Sequence, residues 1–381
     1  MKFKRIVAWT ALIVFSSSVA NAQFMWLATG AASSEESIID IYPGEDATVS
    51  VRPAEPGEKK IAAKLPALST PVTSFGAAVI GDSLYMYGGH TGSAHSYATK
   101  DQGNELLRLD LISGTWKTLA DGPHLQGLAL VAHDGKLYRV GGFTARNAEG
   151  EDHDLWSEDS VACFDPAVGQ WKDLPPLPEC RSSHDAAVIG DAIYVVGGWV
   201  MQGEADTEWH STAWKLDLTQ KDLRWESIAD PPFQRRALAL AAFGNRIYAV
   251  GGMQNRGGPT TAVTVYDPAN DSWTDGPSLI VTGGDDEDQA DRDEMSSGAM
   301  AGFGASAFAT GGALYVTTVQ GNLMALTDHN SEWKLVATDL TPRFFHRLLP
   351  IDAHRLIVVG GSNMSTGKFD EIEVIDVRQG S

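Results

Sequence analysis

The chain has 381 residues, 43% of them hydrophobic, with 39 glycines, so it can bury a large core and make many tight turns without being low in complexity. Its formal charge of −20 argues against nucleic acid as a partner.

In chain order, Lys2, Lys4 and Arg5 precede an apolar stretch over residues 6 to 15, and Ala20-Asn21-Ala22 follows. This is the layout of a secretory signal cleaved after Ala22, which predicts a secreted or periplasmic protein. The stretch is short for a bilayer span, no cysteine follows the cleavage point for lipidation, and no other long apolar run occurs. No membrane span is therefore expected after cleavage. Residues 23 to 58 read as an N-terminal extension, and residues 59 to 381 as one repetitive domain.

The repeats are marked by Gly88-Gly89, Gly141-Gly142, Gly197-Gly198, Gly251-Gly252 and Gly360-Gly361, at intervals of 53, 56, 54 and 109 residues. The last gap is a double period, in which Tyr315 and Trp333 keep the register while Thr318-Val319 replace the glycines. Six units fit. Each reads as four short strands: a small apolar strand a, a two-residue turn such as Gly244-Asn245, a strand b ending in the doublet, a strand c, and a strand d opening on Trp116, Trp171, Trp225, Trp273 or Trp333. Such a sheet needs a neighbour on each face, which predicts an all-β, six-bladed propeller of four antiparallel strands per blade. The last unit stops after its strand c, while LPAL at 65 to 68 echoes LPPL at 174 to 177. An N-terminal strand near residues 59 to 68 is therefore expected to close blade six.

The doublet, the spaced Tyr and the Trp resemble the Kelch repeat over about residues 59 to 378. The resemblance implies a ligand face formed by the b–c and d–a loops. Loop length agrees, since the b–c loops over 90 to 104, 143 to 159 and 199 to 211 are long and the a–b turns minimal. Candidate ligand contacts on this face are His90, His95, Tyr97, His153, Trp156, Trp199, Trp209 and His210 from the b–c loops. Arg181, Arg235, Arg236, Arg343 and His346 join them from the segments leading into strand a. No metal or other cofactor is assigned. The four loop histidines would make a metal centre only by converging with a carboxylate such as Asp101 or Asp154, and solvated loop histidines are the plainer reading. The acidic runs at 149 to 159 and 283 to 294 lack a calcium-loop spacing and read as solvated loops, with calcium or a cationic partner as the other readings. Cys163 and Cys180 are an even pair with strand d between them, and both a disulfide and two separate packed thiols stay open.

The leading expectation is a monomeric, noncatalytic propeller that binds a glycan or protein ligand. A second reading is a sugar epimerase or mutarotase, because secreted Kelch propellers acting on sialic acid anomers are similar in leader, blade number and length. Glu204 and Glu208 with Arg235 or Arg236 would then supply acid, base and carboxylate contact. A third, a galactose-oxidase-like copper enzyme, needs a Tyr joined to a Cys and two His ligands, for which no clear set is visible.

Overall fold

The computed structural model describes residues 37–42, 48–53, 58–282, 298–328 and 332–380. Residues 1 to 22, read above as a secretory signal, and the acidic run at 283 to 294 lie outside them. Within the extension, Ser37–Tyr42 and Thr48–Pro53 pair as an antiparallel hairpin. The described structure is otherwise a succession of sheets, with no helix long and apolar enough to cross a membrane among the described residues.

Five sheets have four antiparallel strands in chain order, as in the first, Gly76–Ile80, Ser83–Tyr87, Glu105–Asp110 and Thr115–Asp121. The strand a to strand b turn of the fourth sheet has Gly244 at φ 55° and Asn245 at φ 59°, the two positive values that a right-twisted two-residue hairpin needs. The sixth sheet is built on Phe344–Pro350, Arg355–Asn363 and Ile372–Asp376. Six apolar clusters fill the six sheet junctions, including one that packs Leu349, Ile357 and Val359 of the last sheet on Ala77, Leu84 and Met86 of the first.

Closure is also visible in the backbone. At the entry to strand a, each blade places one residue in the left-handed region: Ser74, Gly127, Ser183, Ala237, Gly304 and Phe345, with φ between 51° and 61°. The N–H of each donates to the carbonyl of its counterpart in the preceding blade, at 2.7 Å for Gly127 to Ser74, 2.8 Å for Ser183 and Ala237, 3.1 Å for Gly304 and 2.9 Å for Phe345. The bond from Ser74 to Phe345, at 3.4 Å, completes a ring of six.

The glycine doublets belong to the same construction. The second glycine donates its N–H to the next blade: Gly89 to Leu125, Gly142 to Arg181, Gly198 to Arg235, Gly252 to Gly302 and Gly361 to Val72, at 2.7 to 2.9 Å. A Cβ on Gly88 would stand 2.4 Å from the Leu125 carbonyl oxygen, so a side chain there would force the blades apart. In blade five, Thr318 stands at the first doublet position and donates to Asn322 of its own blade, as Gly88 does to Glu105. A small cavity lined by Thr318, Arg343, His346 and Glu373 opens at that junction.

The indoles lie in the outer wedges, as expected. Trp225 donates from Nε1 to Pro175 of the preceding blade at 3.0 Å, Trp273 to Ala229 and Trp333 to Pro277 at 2.7 Å. Trp171 instead lies against Arg139, whose guanidinium carbon is 4.8 Å from the ring centroid. Replacing Trp225 or Trp333 by Ala should lower stability by about 3 kcal/mol in urea denaturation. A loss near zero would place the indole outside the wedge.

The closing strand needs a correction. Trp116 donates to Pro66 at 3.4 Å as Trp225 does to Pro175, and Leu68 N–H donates to Asp370 at 2.7 Å as Leu177 does to Asp159 at 2.8 Å. Residues 59 to 68 thus occupy the outer-strand position of blade six. They form no strand ladder there, and Lys59 is held instead by Asp352 and Arg355.

Candidate functional site

The ring of left-handed residues marks the face on which the d–a segments and b–c loops emerge. In four blades those loops are stitched into one wall. Gln102 accepts the Ala145 N–H at 2.6 Å and donates to its carbonyl at 2.9 Å, joining the loops of blades one and two, and Asn147 adds a bond to Tyr97 O at 2.6 Å. Ser157 N–H donates to Met201 O at 2.9 Å and Gly203 N–H to Leu155 O at 2.9 Å, joining blades two and three. Gln234 then donates to Trp209 O at 2.9 Å from blade four.

Two aromatic groups stand on this wall. Tyr97 lies edge-on to His153, with centroids 5.3 Å apart, and 5.0 Å from His90. Trp199 and Trp209, paired across the short strands Trp199–Val200 and Glu208–Trp209, meet at 5.5 Å and 72°. Arg236 lies over both indoles, its guanidinium carbon 4.0 Å from Trp199 and 5.5 Å from Trp209. Burial raises the Tyr97 phenol pKa and lowers that of Arg236, and in each the other's charge opposes the shift. Tyr97, His153, Trp199, Trp209 and Arg236 therefore converge from four consecutive blades. An edge-to-face pair of indoles with a partly desolvated cation suits sugar faces, aromatic side chains and anions.

Other candidates are placed elsewhere. Arg181, Arg235 and Arg343 are buried beneath the doublets, where they donate to the carbonyls of Gly197 at 2.8 Å, Gly251 at 3.1 Å and Gly360 at 3.1 Å. Arg181 also binds Thr212 and Glu179, Arg235 reaches Ala262 and Thr264, and Arg343 pairs with Glu373. These guanidiniums tie strand b to strand c and are not offered to a ligand, since they satisfy main-chain acceptors that would otherwise be buried unpaired. His210 is buried with Nε2 2.9 Å from Cys180 O, and burial, with Arg181, brings its pKa down to about 4. His346 is buried against Thr317 at 2.6 Å, and burial, then Arg343, brings its pKa to about 3. Both are neutral structural imidazoles. Trp156 packs its own loop, donating to Asp154 at 2.5 Å beneath Arg146.

His95 and His153 are exposed and His90 is buried, so the four loop histidines are not gathered. Among the described residues no group of three His, Cys, Asp or Glu side chains is arranged to hold a metal. Glu204 and Glu208 are exposed on the blade three loop, whereas Arg235 is inside the sheet junction. Cys163 and Cys180 are free thiols. Cys163 stands opposite Tyr138 in the core between blades two and three, away from the loop histidines, so that pair does not make the copper site of the third reading.

Two groups escaped the sequence reading. Lys368, in the short blade six loop, reaches His90 and Gly92. Phe303, Phe344 and Phe345 form a half-buried triad with centroids 5.0 to 6.0 Å apart. The FF pair before His346 was the available signal for the triad. Nothing local marks Lys368.

With this geometry in place, residues 180–232 and 234–280 match the Kelch motif. The chain carries Kelch repeats. It is similar to Kelch-like protein terF of Aspergillus terreus, 29% identical over 47% of this chain and 38% of that protein, and to Kelch-like protein 35 of Mus musculus, 26% identical over 54% and 31%. It is also similar to the N-(sulfonatooxy)prop-2-enimidothioate sulfolyase of Thlaspi arvense, 29% identical over 54% of this chain and 62% of that one. The chain thus matches less than two thirds of the length of each of these relatives. The solved structure of YjhT superposes with a TM-score of 0.60 at 16% identity, over 82% of this chain and 99% of that one, a likeness of fold.

Proposed function

We propose that this Kelch propeller is a binding protein, exported by residues 1 to 22, whose b–c and d–a face holds a glycan or protein ligand without transforming it. The observation that carries the reading is Arg236 stacked on Trp199 and Trp209 with its Nε unpartnered, on a surface continuous with Tyr97 and His153. Aromatic and arginine side chains supply most of the binding energy at such sites. An epimerase or mutarotase finds less support, because Glu204 and Glu208 stand on an exposed loop and, of the two arginines considered with them, Arg235 is buried in the sheet junction and only Arg236 reaches the face.

The test is a glycan array together with a displayed peptide library. The wild-type chain should retain a defined set of ligands. Arg236→Ala and the double variant Trp199→Ala/Trp209→Ala should each weaken that binding by about 10- to 100-fold with the fold intact. Undiminished affinity in both variants would move the site off this wall, and no retained ligand on either platform would defeat the reading.

A further inference from the structure

We propose that Lys368 is a carbonyl-capturing amine at the rim of the binding face, condensing with an aldehyde or ketone to form an imine. The idea stands on the lysine's own surroundings and does not depend on which ligand the Arg236 wall holds. Gly367–Lys368 pairs with Ser362 and Asn363, which brings the side chain from blade six across to the blade one loop. There Nζ donates to Gly92 O and lies 3.2 Å from His90 Nδ1.

The tautomer of His90 follows from its other contact. Nε2 is 2.8 Å from the Ser96 carbonyl, which can only accept, so Nε2 carries the proton and Nδ1 presents a lone pair to the amine. The imidazole is 5% exposed and therefore fixed, while Lys368 itself is half-buried and reachable from the face. Asp101 is the carboxylate whose charge is felt at Lys368. Burial, only partly opposed by Asp101, brings the Lys368 pKa down to about 8, and burial together with the Lys368 charge keeps His90 below its ordinary value. An amine beside a neutral base, with His90 in turn touching Tyr97, is the arrangement a condensation needs.

The chemistry balances within the site. The Nζ lone pair of the neutral amine attacks the carbonyl carbon, a C–N bond forms, and the π pair moves to oxygen. His90 Nδ1 takes a proton from nitrogen and returns it to the carbinolamine oxygen. The remaining N–H proton follows by the same route, water leaves and the neutral imine remains.

The experiment treats the full chain with D-glyceraldehyde and sodium cyanoborohydride at about pH 7.5 and maps the reduced adducts by peptide mass spectrometry. The free-amine fraction at that pH is on the order of 100-fold larger for an amine of pKa about 8 than for an ordinary lysine. Allowing for its partial burial, Lys368 should label about 10-fold faster than the exposed Lys64, Lys117 and Lys172. Lys368→Arg should abolish the fast adduct at an unchanged melting temperature, and His90→Gln should slow labelling of Lys368 on the order of 10-fold. Labelling of Lys368 at or below the rate of the exposed lysines in folded protein would overturn the proposal. An unchanged rate in His90→Gln would remove His90 as the base and with it the step as written.

Discussion

A chain truncated to begin at Ser69 should melt at least about 10 °C below the full chain, or aggregate. The lost segment holds Leu65 and Leu68, 5% and 6% exposed, in the cluster that joins the first and last sheets. Burying one such side chain is worth about 1.5 to 3 kcal/mol. The polar losses fall on the same junction. Arg355 would lose its bond to Lys59 O and its ion pair with Glu58 at 3.9 Å, and Trp116 its acceptor on Pro66. Together these imply a loss of about 5 kcal/mol, or about 10 to 20 °C at 2 to 4 °C per kcal/mol. Leu65→Ala/Leu68→Ala in the full chain separates packing from the mere presence of the segment and should reproduce a large share of the fall. An unchanged melting profile in both would show that the ring closes without residues 59 to 68.

The parts of this fold that were legible in the sequence are those where the backbone accepts one residue type. Gly88 meets the Leu125 carbonyl too closely for any Cβ, so the contact writes itself as a glycine in five of the six repeats, and the outer wedge writes itself as Trp. The ring on the axis is as regular but leaves no motif, because Ser74, Gly127, Ser183, Ala237, Gly304 and Phe345 all serve in it. A bond made by main-chain atoms asks only that the left-handed conformation be tolerated. That tolerance costs Phe345 more than Gly127. The candidate site was half visible. Aromatics on long loops pointed to Tyr97, Trp199 and Trp209, which the structure places on one wall, whereas Arg181, Arg235 and Arg343 looked like ligand contacts because spacing cannot show the carbonyls that converge on them. Arg235 and Arg236 are adjacent yet opposite in role: strand alternation sends one side chain into the sheet junction and the other onto the indoles. Lys368 owes its surroundings to the blade one loop, far away in sequence.

Asp185→Ala and Arg347→Ala should each cost about 3 to 5 kcal/mol, more than their single ion pair would suggest. Arg347 starts in strand a of blade six and crosses the axis. Its Nε donates to Phe75 O of blade one at 3.2 Å, Nη2 to Leu128 O of blade two at 3.3 Å, and Nη1 meets Asp185 Oδ1 of blade three at 2.9 Å. The other Asp185 oxygen accepts the Leu240 N–H of blade four at 3.0 Å. One arginine and one aspartate thus tie five of the six inner strands together, with side chains 22% and 8% exposed. Removing Asp185 leaves a partly desolvated guanidinium short of its counter-charge and a buried Leu240 N–H without its acceptor. Asp185→Asn keeps an acceptor for Leu240 but gives up the charge, so it should retain more stability than Asp185→Ala. The measurement is urea denaturation of the three single variants and of Asp185→Ala/Arg347→Ala. Because the residues share partners, the double variant should lose clearly less than the sum of the two alanine variants. Additive losses would mean that each side chain acts alone. Losses near zero would mean that the ring of main-chain bonds holds the axis without them.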